Sequence, residues 1–347
     1  MKAPTVWRYV GRNLVTAWLV LSGLFLLTRG ITDASSYVQT ALEADSRIQI
    51  AEREQLTRQL LHRAGLDLPL FYVSFDAAHG WQWQGSANQY HVWAASLLQG
   101  QLGTSYRSGA PVSTLLLEAL RYTLPLTVLA ALLSAVVSVG LATGVNGRYP
   151  AIRTTLLSLL HVVQAAPLFL VATGLLMLFA NPDFLAWFPA FGLGVEEDPA
   201  TWWQAPGRLL YYLALPVCSL VLVSAPALTI QLDAALQREL RQPYVVTARA
   251  KGAAPGRVVW RHALRNALLP TITLLTELLP NLVAGAVVVE VLFALPGMGR
   301  LLAEAAATQD YPVLLGGVTL VVVARVLAQL LADALYLLTD PRIRLQA

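Results

Sequence analysis

Three long, predominantly apolar stretches of the chain carry no Asp, Glu, Lys or Arg: between Arg121 and Arg148, between Arg153 and Asp183, and between Arg208 and Asp233. Each is longer than the roughly 20 residues that a helix, rising about 1.5 Å per residue, needs to cross a hydrocarbon layer. None alternates apolar with polar residues as a barrel strand does, so helices that satisfy their own backbone groups are the solution lipid permits. Three further apolar segments are shorter or interrupted: 13–28, then 266–293 with Glu277 and Glu290 inside it, then 311–338 with Arg325 and Asp333. The pattern predicts an all-α polytopic membrane protein with six transmembrane helices, at 13–28, 121–145, 154–180, 209–232, 266–293 and 311–338.

Residues 32–118 have a different texture. LEADSRIQIAEREQLTRQLLHRAG is charged and amphipathic and predicts one or two surface helices, while FDAAHGWQWQGSANQY predicts loop. The chain thus divides into an N-terminal tail with the first helix (1–31), a small extracytoplasmic subdomain (32–118) and a five-helix core (119–347) holding a long loop at 233–265. His62, His79 and His91 fall in the subdomain at spacings that fit no common metal site, so hydrogen-bonded or solvated imidazoles are expected.

Composition agrees with membrane residence: 56% of residues are hydrophobic and 13% charged, about half the charge of an average soluble domain. The net charge of +4 is spread over short inter-span segments, which speaks for topology and against nucleic-acid binding. With the N-terminus inside, segments 1–13, 146–153, 233–265 and 339–347 carry 3, 2, 7 and 2 Lys or Arg, whereas the outer loops 181–208 and 294–310 carry Arg208 and Arg300 alone. Both termini are therefore expected in the cytoplasm. The first span follows Lys2, Arg8 and Arg12 as a signal peptide would, but no clear small-x-small cleavage site follows its apolar core, and an uncleaved anchor is expected. Cys218, alone in an apolar run, is expected to be a buried thiol.

Chemistry is sparse. A P-loop needs Gly-Lys, and neither Lys2 nor Lys251 follows a glycine. No Gly-x-Ser-x-Gly elbow, His-Glu-x-x-His pair or cysteine cluster occurs, so the chain is not expected to be an enzyme or to hold a cofactor itself. A hydrolase built on Glu277 and His161 lacks an activating neighbour. Charges inside spans cost about 2.5–3.5 kcal/mol at the bilayer centre unless paired or hydrated. Glu277 and Arg325 on successive spans could pair as a strut, and Glu290 and Asp333 lie nearer span ends, where hydration is easier. The same Glu277, Glu290 and Arg325 could instead form the relay of a self-contained carrier or channel. Pro125, Pro167, Pro216, Pro226, Pro270 and Pro280 are expected to bend or interrupt spans.

The densest positive charge, ARAKGAAPGRVVWRHALRN from Ala248 to Asn266, has five Arg or Lys and no acid. Topology alone explains its sign. Its local code predicts two short helices: one begun at Pro243, carrying Tyr244 to Lys251 and closed by Gly252, and a second opened by Pro255 through Val258, Val259, Trp260 and Leu264. Ala248 and Ala250 are small enough for another surface to approach the backbone closely.

Tyr244 to Asn266, followed by ALLP, resembles the cytoplasmic coupling loop of ABC-importer permeases of the dipeptide, oligopeptide and nickel group, including its Ala-x-x-x-Gly core at Ala248 and Gly252. GLDLP (65–69), Gln89 with Tyr90, LGTSYRSGAPV (102–112), VEVLFALPGMGRLL (289–302), QDYPV (309–313) and DPRIR (340–344) fall in that group's order. Asp233 stands where the group often has Arg, and 71–88 resembles an insertion. The resemblance implies the type I ABC-importer permease fold and the first of two permease subunits in a bacterial cytoplasmic membrane. It implies as partners a second homologous permease, two ABC ATPase subunits that bind ATP and Mg, and an extracytoplasmic binding protein. On that resemblance the loop docks on an ATPase: Ala248 and Gly252 give close approach, Tyr244 and Val245 apolar anchoring, and Arg249, Lys251 and Arg257 a polar rim.

Overall fold

The computed structural model describes residues 3–31, 61, 65–76, 80–145, 150–190, 206–268 and 286–339. In order these form α1 (Ala3–Ile31), β1 (Val73–Asp76), β2 (Gly80–Trp83), α2 (Gln89–Leu98), α3 (Val112–Gly144), α4 (Pro150–Gln164), α5 (Leu168–Phe179), α6 (Pro206–Leu240), α7 (Pro243–Ala250), α8 (Met298–Ala307) and α9 (Tyr311–Thr339). The chain forms two compact units, a larger one of 1–5, 119–300 and 324–347, and a smaller one of 6–118 and 301–323.

Length and apolarity suffice for a membrane crossing in α1, α3 and α6. The stretch expected as a straight third span is a bent pair instead: α4 and α5 meet at 97°. Pro167 is the cause. It lacks an N–H, its ring disfavours helix at Ala166, and it serves as the extended N-cap of α5 at φ −61°, ψ 138°. The other described prolines did not break their helices, since Pro125 lies within α3, and Pro216 and Pro226 lie within α6. The sixth expected span corresponds to α9, apolar over Tyr311–Leu327. Of the fifth, 269–285 lies outside the described residues, with Glu277, Pro270 and Pro280; so do the expected surface helices around 42–60, His62 and His79.

In the larger unit, α6 packs against both α4 and α5. One buried cluster gathers Leu126 and Ala130 of α3, Ala172 of α5, Leu213 and Leu220 of α6, and Val289 and Phe293. A second gathers Ala142, Leu232, Leu236, Val259, Ala263 and Ala267. Many other apolar side chains stay bare, Leu132, Val136, Phe169 and Leu210 among them, as lipid-facing positions do. Cys218 is also exposed, correcting the expectation of a buried thiol.

In the smaller unit, part of the passage expected as loop forms strand and helix. β1 and β2 pair antiparallel, Val73 opposite Trp83 and Phe75 opposite Trp81, a strand pair beside the described helices. Asn88 then caps α2: its side chain accepts from the His91 N–H at 2.8 Å and donates to the Gly85 carbonyl at 2.7 Å. His91 Nδ1 lies 3.0 Å from the Tyr72 hydroxyl, a hydrogen-bonded imidazole as its surroundings suggested. Phe25 of α1 is fully buried, stacked on Trp93 at 4.6 Å and edge-on to Tyr90 at 5.7 Å, and Ser22 meets the Tyr90 hydroxyl at 2.8 Å.

Candidate functional site: the basic loop and the buried carboxylates

The basic loop is built as its residues suggested at both ends of α7. Pro243 occupies the first turn after the extended Gln242, and Gly252 takes φ +80°. The Gly252 N–H reaches the Arg249 carbonyl at 2.9 Å and the Ala253 N–H the Ala248 carbonyl at 3.1 Å, the paired bonds of a Schellman ending. Pro255 opens the next turn, Pro255–Arg257, with Ala254 as its cap. The chain then enters a π turn, Val258–Ala263, in place of the expected α-helix; the Leu264 N–H bonds back to the Val259 carbonyl. The wider turn coincides with burial of Val258, Val259 and Ala263, while Trp260 remains 59% exposed.

One assignment of the sequence is corrected here. Val245 is fully buried, so it anchors α7 to its own chain and presents nothing to a partner; Val246 and Tyr244 are the exposed neighbours. Tyr244 adds a polar tether. Its hydroxyl donates to Glu239 Oε2 at 2.7 Å and accepts from Asn266 Nδ2 at 3.1 Å, joining the end of α6, the start of α7 and the residues after the π turn. Burial, and then the hydrogen bond to Glu239, push its phenol above the ordinary range. Ala248, Lys251, Gly252, Arg257 and Arg261 line a depression of about 330 Å³, and Arg249 is exposed beside it.

Glu290 is the second correction. The expectation put it near a hydrated span end, as strut or relay; it is fully buried. Thr123 Oγ1 donates to Glu290 Oε1 at 2.6 Å, and the Gly299 and Arg300 N–H groups donate to Oε2 at 2.7 and 3.1 Å. The Met298 N–H donates to Thr123 Oγ1 at 2.8 Å. The physical reason lies at the start of α8. Gly297 precedes it and has no side chain to cap the free N–H groups, so Thr123 and Glu290 satisfy them from α3 and from helical residues 286–292. A Cβ on Gly297 would overlap the Glu290 carboxyl group. A carboxylate committed to a helix terminus in this way is a structural fastener, and its negative charge suits the positive end of α8. Arg325 is exposed on α9 and does not meet it. His161, the other polar candidate in a span, lies with Nδ1 2.7 Å from the Leu157 carbonyl, one turn back on its own helix.

Two further fasteners carried no signal that composition or spacing could show. Arg153 grips Asp233 through Nε to Oδ1 at 3.1 Å and Nη2 to Oδ2 at 2.6 Å, a forked pair between α4 and α6, which gives the unusual acid at 233 a partner. In the smaller unit, Ser105 Oγ donates to Asp310 Oδ2 at 2.5 Å and the Tyr106 N–H to Oδ1 at 3.1 Å. That bond ties LGTSYRSGAPV to QDYPV. Among the described residues no group of three or more His, Cys, Asp or Glu is placed to hold a metal.

Residues 136–345, which include the basic loop, the VEVLFALPGMGRLL turn and α9, match the family of binding-protein-dependent transport system inner membrane components. The chain belongs to that family. Along its length it is 32% identical to the oligopeptide transport system permease protein AppB of Bacillus subtilis, over 96% of this chain and 98% of that protein. It is 33% identical to the di/tripeptide transport system permease protein DppB of Pseudomonas aeruginosa, over 84% of this chain and 86% of that protein. It is 29% identical to the inner membrane ABC transporter permease protein YejB of Escherichia coli O157:H7, over 83% and 76% respectively. This permease is thus a membrane component of an ABC transport system. Permeases of such systems work with ATPase and substrate-binding partners and are not themselves catalytic.

Proposed function

We propose that this permease is one of two homologous membrane subunits of an ATP-driven importer for peptides, with the basic loop as the handle gripped by an ATPase subunit. The observation that carries the proposal is α7. It is a short helix closed by a Schellman turn, pinned by buried Val245 and by the Tyr244 tether, with Ala248 and Gly252 facing a shallow basic depression. Such a helix transmits force because it cannot pivot freely, and its small residues let a partner approach the backbone. The ATP and Mg would be bound by two ATPase subunits, and an extracytoplasmic binding protein would deliver the peptide. Both termini and the loop at 233–265 then face the cytoplasm, and the segment 32–118 faces outward. Peptide as cargo follows from the oligopeptide and di/tripeptide systems in which the relatives above serve.

The test is the complete transporter, purified through the ATPase subunits and reconstituted in vesicles. Gly252→Arg or Ala248→Asp is expected to abolish retention of the permease and with it ATP-dependent peptide uptake. Normal retention and uptake in both variants would overturn the reading.

A further inference from the structure

The hairpin β1–β2 is amphipathic the wrong way round for a surface element in water. Val73, Phe75, Trp81 and Trp83 share one face, because paired residues in an antiparallel register point to the same side. On that face Phe75, Trp81 and Trp83 are 65%, 76% and 73% exposed. The opposite face carries Ser74, Gln82 and the Gln84 amide, which donates to Ser74 Oγ at 2.8 Å, and this polar face is the half-buried one. Two Trp and a Phe facing water leave a large apolar surface hydrated, an arrangement that burial in an apolar medium would relieve.

The hairpin's place in its unit says what covers that face. A ladder of rings runs from α1 to β2: Phe25 to Tyr90 at 5.7 Å, Tyr90 to Tyr72 at 6.0 Å, Tyr72 stacked on Trp83 at 5.8 Å. Phe25 lies in the last turns of α1, whose sides bear exposed Leu14, Val15, Leu19, Val20 and Leu27. The ladder therefore holds the hairpin beside the end of a lipid-facing helix, where hydrocarbon gives way to headgroups. Trp and other large rings favour that layer, since the body is apolar and the indole N–H finds a polar partner there.

We propose that the Phe75–Trp81–Trp83 face of the hairpin lies in the headgroup layer of the leaflet at the C-terminal end of α1, an interfacial anchor continuous with the lipid-facing side of that helix. The segment from 71 to 88 thereby acts on the bilayer and fixes the depth of the smaller unit. This requires α1 to span the membrane and does not depend on the cargo or on the ATPase docking proposed above.

Emission of the full-length permease in phosphatidylcholine vesicles tests it, as the difference between the wild type and the Trp81→Phe/Trp83→Phe variant. The difference spectrum is expected to be blue-shifted, and to be lost when the lipids carry bromine close to the headgroup, with less loss when bromine sits at the chain ends. Red-shifted emission quenched by aqueous iodide and untouched by bromolipid would overturn the proposal. So would protection from iodide that appears only when an extracytoplasmic binding protein is added. Because the Phe substitutions can perturb packing, Trp81→Glu alone is a second probe. Its expected result is a weakened bromolipid effect on Trp83 with unchanged near-ultraviolet dichroism, and an unweakened effect would also overturn the proposal.

Discussion

Replacing Glu290 with Gln tests the reading of this carboxylate as a helix fastener. The carboxylate accepts three hydrogen bonds, from Thr123 Oγ1 at 2.6 Å and from the Gly299 and Arg300 N–H groups at 2.7 and 3.1 Å. A carboxamide offers one oxygen. If that oxygen keeps the two backbone donors, the amide NH2 faces Thr123 Oγ1, which must turn its proton toward the Ala119 carbonyl at 3.4 Å, a longer bond. Charge-assisted bonds contribute about 1.5–3 kcal/mol each and neutral ones about 0.5–1.5. Exchanging two or three of them, with some relief of the carboxylate's desolvation, predicts a loss of about 1–3 kcal/mol. Glu290→Ala orphans the backbone donors and leaves a void, for about 3–5 kcal/mol. The assay is thermal unfolding of the purified permease in detergent, with Thr123→Val and the double variant completing a cycle whose coupling should be about 1–3 kcal/mol. A Glu290→Gln permease that unfolds at or above the wild-type temperature, or a coupling near zero, would refute the fastener and restore a relay role to Glu290.

Other consequences can be checked separately. Gly252→Ala places a Cβ at φ +80°, and about 1 kcal/mol of local strain should appear as faster amide exchange at the end of α7. Asp233→Asn breaks the forked pair with Arg153; because that guanidinium is about a third exposed, a loss of about 1–2 kcal/mol is expected in the same unfolding assay, and Arg153→Lys should not keep the full stability. Tyr244 titrates above the ordinary phenol range, so the folded loop favours the neutral phenol. Its contribution is intact below pH about 10 and fades as pH rises through the raised value. A tyrosinate absorbance titration of wild type minus Tyr244→Phe should show this, and a midpoint at or below the ordinary value would contradict the tether.

Much of the loop was legible in the chain because its signals are local. Pro243, Gly252 and Pro255 act through backbone torsions that need no distant partner, and each stands where its chemistry predicted. The same Schellman geometry closes helices at Ala294 (φ 52°) and Gln309 (φ 57°), and no glycine marks either. The long charge-free runs likewise announced their helices, since hydrocarbon leaves the backbone no alternative. The hairpin escaped notice because its apolar residues alternate over only four positions per strand, too few to stand out beside Gly and Gln.

By itself, then, the sequence determined the solvent of this protein, the helices that solvent demands, the family, and the loop whose turns are written in Pro and Gly. The tertiary structure alone decided which way each group faces. It turned Val245 inward and made Glu290 a helix cap in place of a relay. It also paired Arg153 with Asp233 across 80 residues and Ser105 with Asp310 across 205. The reason is physical. Torsional and hydropathic preferences act over a few residues, whereas the cost of a buried polar group is settled by whichever distant atoms the packed fold brings within hydrogen-bond reach.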